Sequence, residues 1–140
     1  MFVHPECPCT RASLHELSGL LARPAAGVSP VLVVMGPVND AAGGWEHTAL
    51  AASAGHIPGL TLFMDRDGAE AARFGAETSG HVVLYDPQGR LQFAGGITSS
   101  RGHVGDNVGL RTVERLLQHP AAAPAQHAVF GCPLTEGGTR

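Results

Sequence analysis

A chain of 140 residues fits a single domain, and at 44% hydrophobic and 15% charged residues it has the composition of an ordinary globular protein. Its net charge is −3, and its basic side chains are nine scattered arginines with no lysine, which argues against a nucleic-acid footprint or a polybasic membrane patch. No run of 18 apolar residues exists to cross a membrane, and no basic segment followed by an apolar run marks a signal peptide at Met1.

The opening "MFVH" reads as the last half of a strand, because strands usually run about five or six residues. The first strand is therefore expected to be truncated. The compartment is expected to be periplasmic or extracytoplasmic if an export signal lies upstream, and cytoplasmic otherwise. After His4-Pro5, Leu14, Leu17 and Leu21 recur at helical spacing, with Leu20 beside them. Two starts compete for this helix: Cys9-Thr10, or Ser13 with Glu16 as a capping box. The distance from the strand favours the earlier one.

"VLVVMG" (31–36) is a β-branched run expected to be buried on both faces, and "LTLFMD" (60–65) a second such strand. Between them, residues 44–54 predict a helix, with Trp45 packing it. "DGAEAARFGA" is a short helix ended by Gly75. "HVVLYD" and "RLQFAGG" are strands joined through Asp86-Pro87-Gln88-Gly89, whose residues suit a tight turn. A polar, Gly-rich loop follows. Gly95-Gly96 is not a phosphate loop, because no Lys follows it. The helix over 107–118 turns Val108, Val113, Leu116 and Leu117 inward, with Asp106 as its N-cap, while Arg101 sits in water. Residues 1–118 form the domain, and 119–140 an irregular tail that carries Cys132.

The order β–α–β–α–β–α–β–β–α implies an α/β domain with parallel pairings, a final antiparallel hairpin and a closing helix. Cys7-Pro8-Cys9 falls where the first strand gives way to a helix. A helix N-terminus stabilises a thiolate, and the thiolate is both the nucleophile and the metal ligand. Arg11, and His4 or His15 when protonated, push the same way, while Glu6 opposes. Three readings compete: a redox pair, part of a copper or zinc site, or inert core cysteines. The flanking Pro, Glu, Thr and Arg do not make a core neighbourhood. Cys7 and Cys9 can bond if the chain bends at Pro8, in a strained and easily reduced disulfide. Cys132 adds two further pairings, which the sequence leaves open. The metal alternative draws on Cys7, Cys9, His81, His103 and Cys132, although their spacing matches no common zinc signature.

The stretches "HPECPCTRAS", "SGHVVLYDPQGRLQFAGGITSSRGHVGDN" and "VFGCPL" resemble thioredoxin-like proteins of the RedB type, within the group that includes the TlpA and AhpC/TSA thiol oxidoreductases. The resemblance implies a three-layer fold around a central mixed sheet, no cofactor, and thiol–disulfide exchange with a thiol- or disulfide-bearing protein. It casts Cys7 as the attacking thiol and Cys9 as its partner, with Cys132 as a further resolving thiol and Pro8, Arg11, Gly80 and His81 as binding or tuning residues. A non-catalytic thioredoxin-like binding domain is the remaining alternative. Two departures stand out. The pair is Cys-x-Cys rather than Cys-x-x-Cys, and Gly80-His81 stands where those proteins carry a cis-proline.

Overall fold

The computed structural model describes residues 1–23, 27–36, 44 and 48–135. In chain order the elements are β1 (Phe2–Val3), α1 (Thr10–Leu21), β2 (Val31–Met35), α2 (Ala49–Ala54), β3 (Thr61–Asp65), α3 (Ala69–Arg73), β4 (Val82–Tyr85), β5 (Leu91–Gly95), α4 (Val108–Gln118) and β6 (Ala125–Gln126). The expected alternation is present, in a mixed α/β chain. Trp45 lies outside the described residues.

Where one central sheet was expected, the described residues form two of three strands each, β1-β2-β3 and β4-β5-β6. The first is parallel throughout, with Phe2 opposite Val33 and Val33 opposite Phe63. The second pairs β4 with β5 antiparallel and β5 with β6 parallel. The two meet at an antiparallel bridge between Phe2 and His81. The cause is the length of β1. Its two residues offer only Phe2 to the next strand, through Phe2 N–H to His81 O and Gly80 N–H to Phe2 O, both 2.8 Å.

Side chains alternate across the strands with period two, as a pleated strand demands. Val3, Leu32, Val34 and Val82 join Leu14, Leu17 and Leu20 of α1, Leu50 of α2, and Leu110, Val113 and Leu116 of α4 in one hydrophobic cluster. Phe2, Val33 and Met35 face the other way, onto Ala71 of α3, Ala76 and Leu134. The strands thus lie between two layers, and the tail supplies one apolar anchor of the smaller layer.

Four expectations need correction. β3 is not buried on both faces: Leu62 is 42% and Phe63 46% exposed, because β3 is the edge of its sheet. The cap of α4 is Asn107, not Asp106: Leu110 N–H donates to Asn107 Oδ1 at 2.9 Å, and Asp106 instead pairs with Arg111. With the helix phased from that cap, Val108 is 58% exposed, and the inward stripe runs Leu110, Val113, Leu116. The tail is not wholly irregular, since β6 pairs with β5 and Leu134 is buried.

The hairpin turn is built as its residues suggest. Gly89 N–H donates to Asp86 O at 2.9 Å with Gly89 at φ 78°, a conformation that favours glycine. The Asp86 carboxylate gathers the N–H groups of Gln88 and Arg90 and the Arg90 guanidinium. Beyond the start of β1 an apolar groove of about 800 Å³ opens between the sheets, lined by Val31, Phe63, Phe74, Leu84 and Tyr85 among others.

Candidate functional site

The chain leaves β1 through a tight bend, with Cys7 N–H donating to His4 O and Thr10 N–H to Cys7 O, each at 3.1 Å. Helix α1 then starts at Thr10 with Cys9 as N-cap, so the earlier of the two candidate starts is the one observed. Ser13 lies inside the helix, buried against Gly80. A Cβ on Gly80 would stand 2.9 Å from Ser13 Oγ, and Gly80 has φ +97°, so this position is reserved for glycine by both space and backbone. Gly80 thereby sets how closely α1 approaches the segment before β4.

Cys7 is 3% exposed, yet it belongs to neither hydrophobic cluster. Its surroundings are donors. The Cys132 backbone N–H donates to Cys7 Sγ at 3.3 Å. Burial pushes the Cys7 thiol up, and hydrogen bonds outweigh it: the Cys132 thiol, the Thr10 hydroxyl and the backbone N–H groups of Cys132 and Cys9 bring it down to about 7. Cys132 moves the other way, to about 11, because its proton is held on the bond to Cys7; burial and repulsion from Cys7 and Cys9 add to this, against the pull of Arg101. Of the two sulfurs, Cys7 is therefore the readier to ionise and Cys132 the readier to keep its proton.

Behind Thr10 lies a part of the site that the sequence reading missed. Thr10 Oγ1 is 2.6 Å from Ser79 Oγ, and His4 N–H donates to Ser79 Oγ at 2.8 Å. If Thr10 gives its proton to the sulfur, Ser79 must give its own to Thr10, and Ser79 then accepts from His4. One proton order satisfies every member. The signal available was a hydroxyl residue directly after Cys9, at the first turn of the helix.

The tail reaches the site through a single antiparallel bridge. Ser79 N–H donates to Cys132 O at 2.8 Å and Leu134 N–H to Glu77 O at 2.9 Å, flanking an antiparallel bridge between Thr78 and Pro133. Arg101, expected in water, donates from Nη2 to Gly131 O at 2.7 Å.

The remaining candidates divide. Cys9 is half-buried, and its charge acts on Cys132, so the three cysteines share one neighbourhood. Pro8 and Arg11 are exposed and line a shallow groove with His15 and His56. His81 sits edge-on to Phe2, with ring centroids 6.4 Å apart and Nε2 buried without a hydrogen-bond partner. Burial and the Met1 amino group both lower its pKa, so the buried ring is held neutral. His103 is exposed on the loop before α4. Among the described residues no three His, Cys, Asp or Glu side chains are arranged to hold a metal ion.

The geometry thus offers one buried thiol of lowered pKa at a helix start, a thiol of raised pKa hydrogen-bonded to it, and a third in the same neighbourhood. No protein-family model, no curated protein and no solved structure matches the chain.

Proposed function

We propose that this protein is a thiol–disulfide oxidoreductase with a thioredoxin-like fold, in which Cys7 attacks and Cys132 resolves. The observation that carries the reading is the contact between those two residues: the backbone of Cys132 donates to a Cys7 sulfur whose pKa lies near neutrality. A thiol attacks most effectively when its pKa is close to the ambient pH. The fold reading is supported by the strand-to-helix placement of the cysteines and by the Phe2–His81 bridge, which sets β1 between β2 and β4.

The reaction balances without a cofactor. The Cys7 thiolate attacks one sulfur of a partner disulfide. The Cys7–partner bond forms as the partner's S–S bond breaks, and the leaving thiolate takes a proton from water. Cys132 then loses its proton to solvent and attacks Cys7 Sγ, which expels the partner's second sulfur as a thiolate. Two electrons pass to the partner, and the protein is left with a Cys7–Cys132 disulfide that a dithiol reductant reopens. Cys9, on the same helix start, is the competing resolving thiol.

The deciding experiment is mass spectrometry after differential alkylation of reduced and mildly oxidised protein. The expected result is the loss of two free thiols without dimerisation, with Cys7 and Cys132 linked and Cys9 free. Three titratable thiols persisting after oxidation would overturn the reading.

A further inference from the structure

The tail does more than carry a thiol to Cys7. From Gly131 to Leu134 it lies on the backbone at Glu77–Ser79 through a single antiparallel bridge, whose two main-chain bonds an incoming extended peptide could also make. Pro133 has no N–H to give, and the pairing asks for none there, because the bonds fall on Cys132 and Leu134. Cys7 lies buried beneath this arrangement and accepts the Cys132 N–H. A partner sulfur cannot reach Cys7 in line while the segment is seated.

We propose that Gly131–Leu134 is a built-in competitor for partner binding: it must lift off the Glu77–Ser79 edge before a partner strand can dock, and its own sequence defines the class of strand that replaces it. This rests on the exchange chemistry proposed above. The side chains set the class. A Cβ at Gly131 would fall 2.1 Å from Ser79 O and 3.0 Å from Ser79 C, both backbone atoms that cannot give way, so the residue before the reacting cysteine must be glycine. Leu134 is 2% exposed, seated with Phe2, Val33, Met35 and Ala71, so the second residue after the cysteine must be apolar. The partner is therefore an extended Gly-Cys-x-apolar segment.

Four features hold the segment down: the two main-chain bonds, the Cys132 N–H on Cys7 Sγ, the Leu134 anchor and the Arg101 clasp on Gly131 O. Arg101 is exposed, and its removal disturbs no core, so it separates loosening of the tail from damage to the fold.

The test uses the full chain with Cys132→Ser, which keeps the strand but removes the resolving thiol. Arg101→Ala and Leu134→Ala are added to it separately. The probe is a synthetic peptide spanning Val129–Thr135 with Cys132→Ser, followed by fluorescence anisotropy. The expected result is peptide binding at least tenfold tighter to the loosened chains than to the parent, and abolished in a peptide carrying Gly131→Ala. Alkylation of Cys7 should also quicken at least fivefold in the loosened chains at constant pH. Equal binding and equal alkylation rates in all three chains would overturn the proposal, as would a Gly131→Ala peptide that binds as well as the parent peptide. The two readings fail separately. Three titratable thiols persisting after oxidation overturn the exchange chemistry while peptide binding stands. A normal disulfide with no peptide binding overturns the competitor alone.

Discussion

The hydroxyls of Thr10 and Ser79 stand 2.6 Å apart, at 0% and 1% exposure, and the outer end of the pair is fixed by the His4 N–H. When Ser79 donates to Thr10, the Thr10 proton is left for the Cys7 sulfur, whose pKa the hydroxyl lowers. Thr10→Val should raise the Cys7 pKa by about one pH unit, the effect of losing one hydrogen bond to a thiolate. Ser79→Ala should raise it less, since it frees Thr10 to turn away, and Thr10→Ser should restore it. The pH dependence of Cys7 alkylation reads the value directly. An unchanged midpoint in Thr10→Val would show that the hydroxyl does not donate to the sulfur.

Peptide-resolved alkylation of the reduced protein should give Cys7 a midpoint near 7 and show Cys132 reacting more slowly than Cys7 at every pH below the pKa of an ordinary thiol. The same lowering links Cys7 to stability. Its folded pKa lies below the ordinary thiol value, so its contribution is fully present above that value and is lost as pH falls through about 7. Cys132 carries the opposite sign, and its contribution is lost only as pH climbs through about 11. Urea unfolding of wild type and Cys7→Ser should therefore show a larger difference at pH 8.5 than at pH 6. A difference that shrinks over this interval would contradict the assignment of the thiolate to Cys7.

Removing each sulfur should sort their roles. Cys132→Ser should accumulate the mixed disulfide between Cys7 and a disulfide-bearing peptide, with release slowed at least tenfold. Cys9→Ser should release at close to the wild-type rate. The reverse outcome, read by mass spectrometry of quenched mixtures, would transfer the resolving role to Cys9.

Asn107 joins the cap of α4 to the loop that holds Arg101. It accepts from Leu110 N–H and donates to Ile97 O and Gly105 O, at 2.8 and 3.0 Å. Asn107→Ala should destabilise the protein by about 1–2 kcal/mol, the usual effect of losing a cap. Asn107→Asp keeps the acceptor and loses both donors, so it should recover only part of that in thermal melts. Full recovery would mean that the cap alone matters.

Most elements were legible because they obey local rules. The Leu14–Leu17–Leu21 stripe, the β-branched run at 31–35 and the Asp86–Gly89 turn each carry their own signal. The misreadings came from relations between distant residues. Nothing in "LTLFMD" tells that no strand will cover its outer edge. Asp106 and Asn107 are both good caps, and only the demand of the Ile97 and Gly105 carbonyls for an amide donor separates them. The cysteine pair was visible at once, but the contact to Cys132 spans 125 positions, and the Thr10–Ser79 contact spans 69. Those links are decided by how the sheets assemble, which periodicity does not encode.

The tail is rooted only a short way from the sulfur it brings. Gly96 N–H holds Ala128 O, four residues ahead of Cys132. A tether of that length extends no more than about 14 Å. Once lifted, the Cys132 sulfur therefore stays within a small sphere around Cys7, at an effective concentration in the millimolar range or above. Dilution does not weaken such a rival. If the proposed exchange holds, a partner strand succeeds only by fitting the vacated edge better than the tethered segment does, and selectivity becomes a race against a neighbour that never leaves.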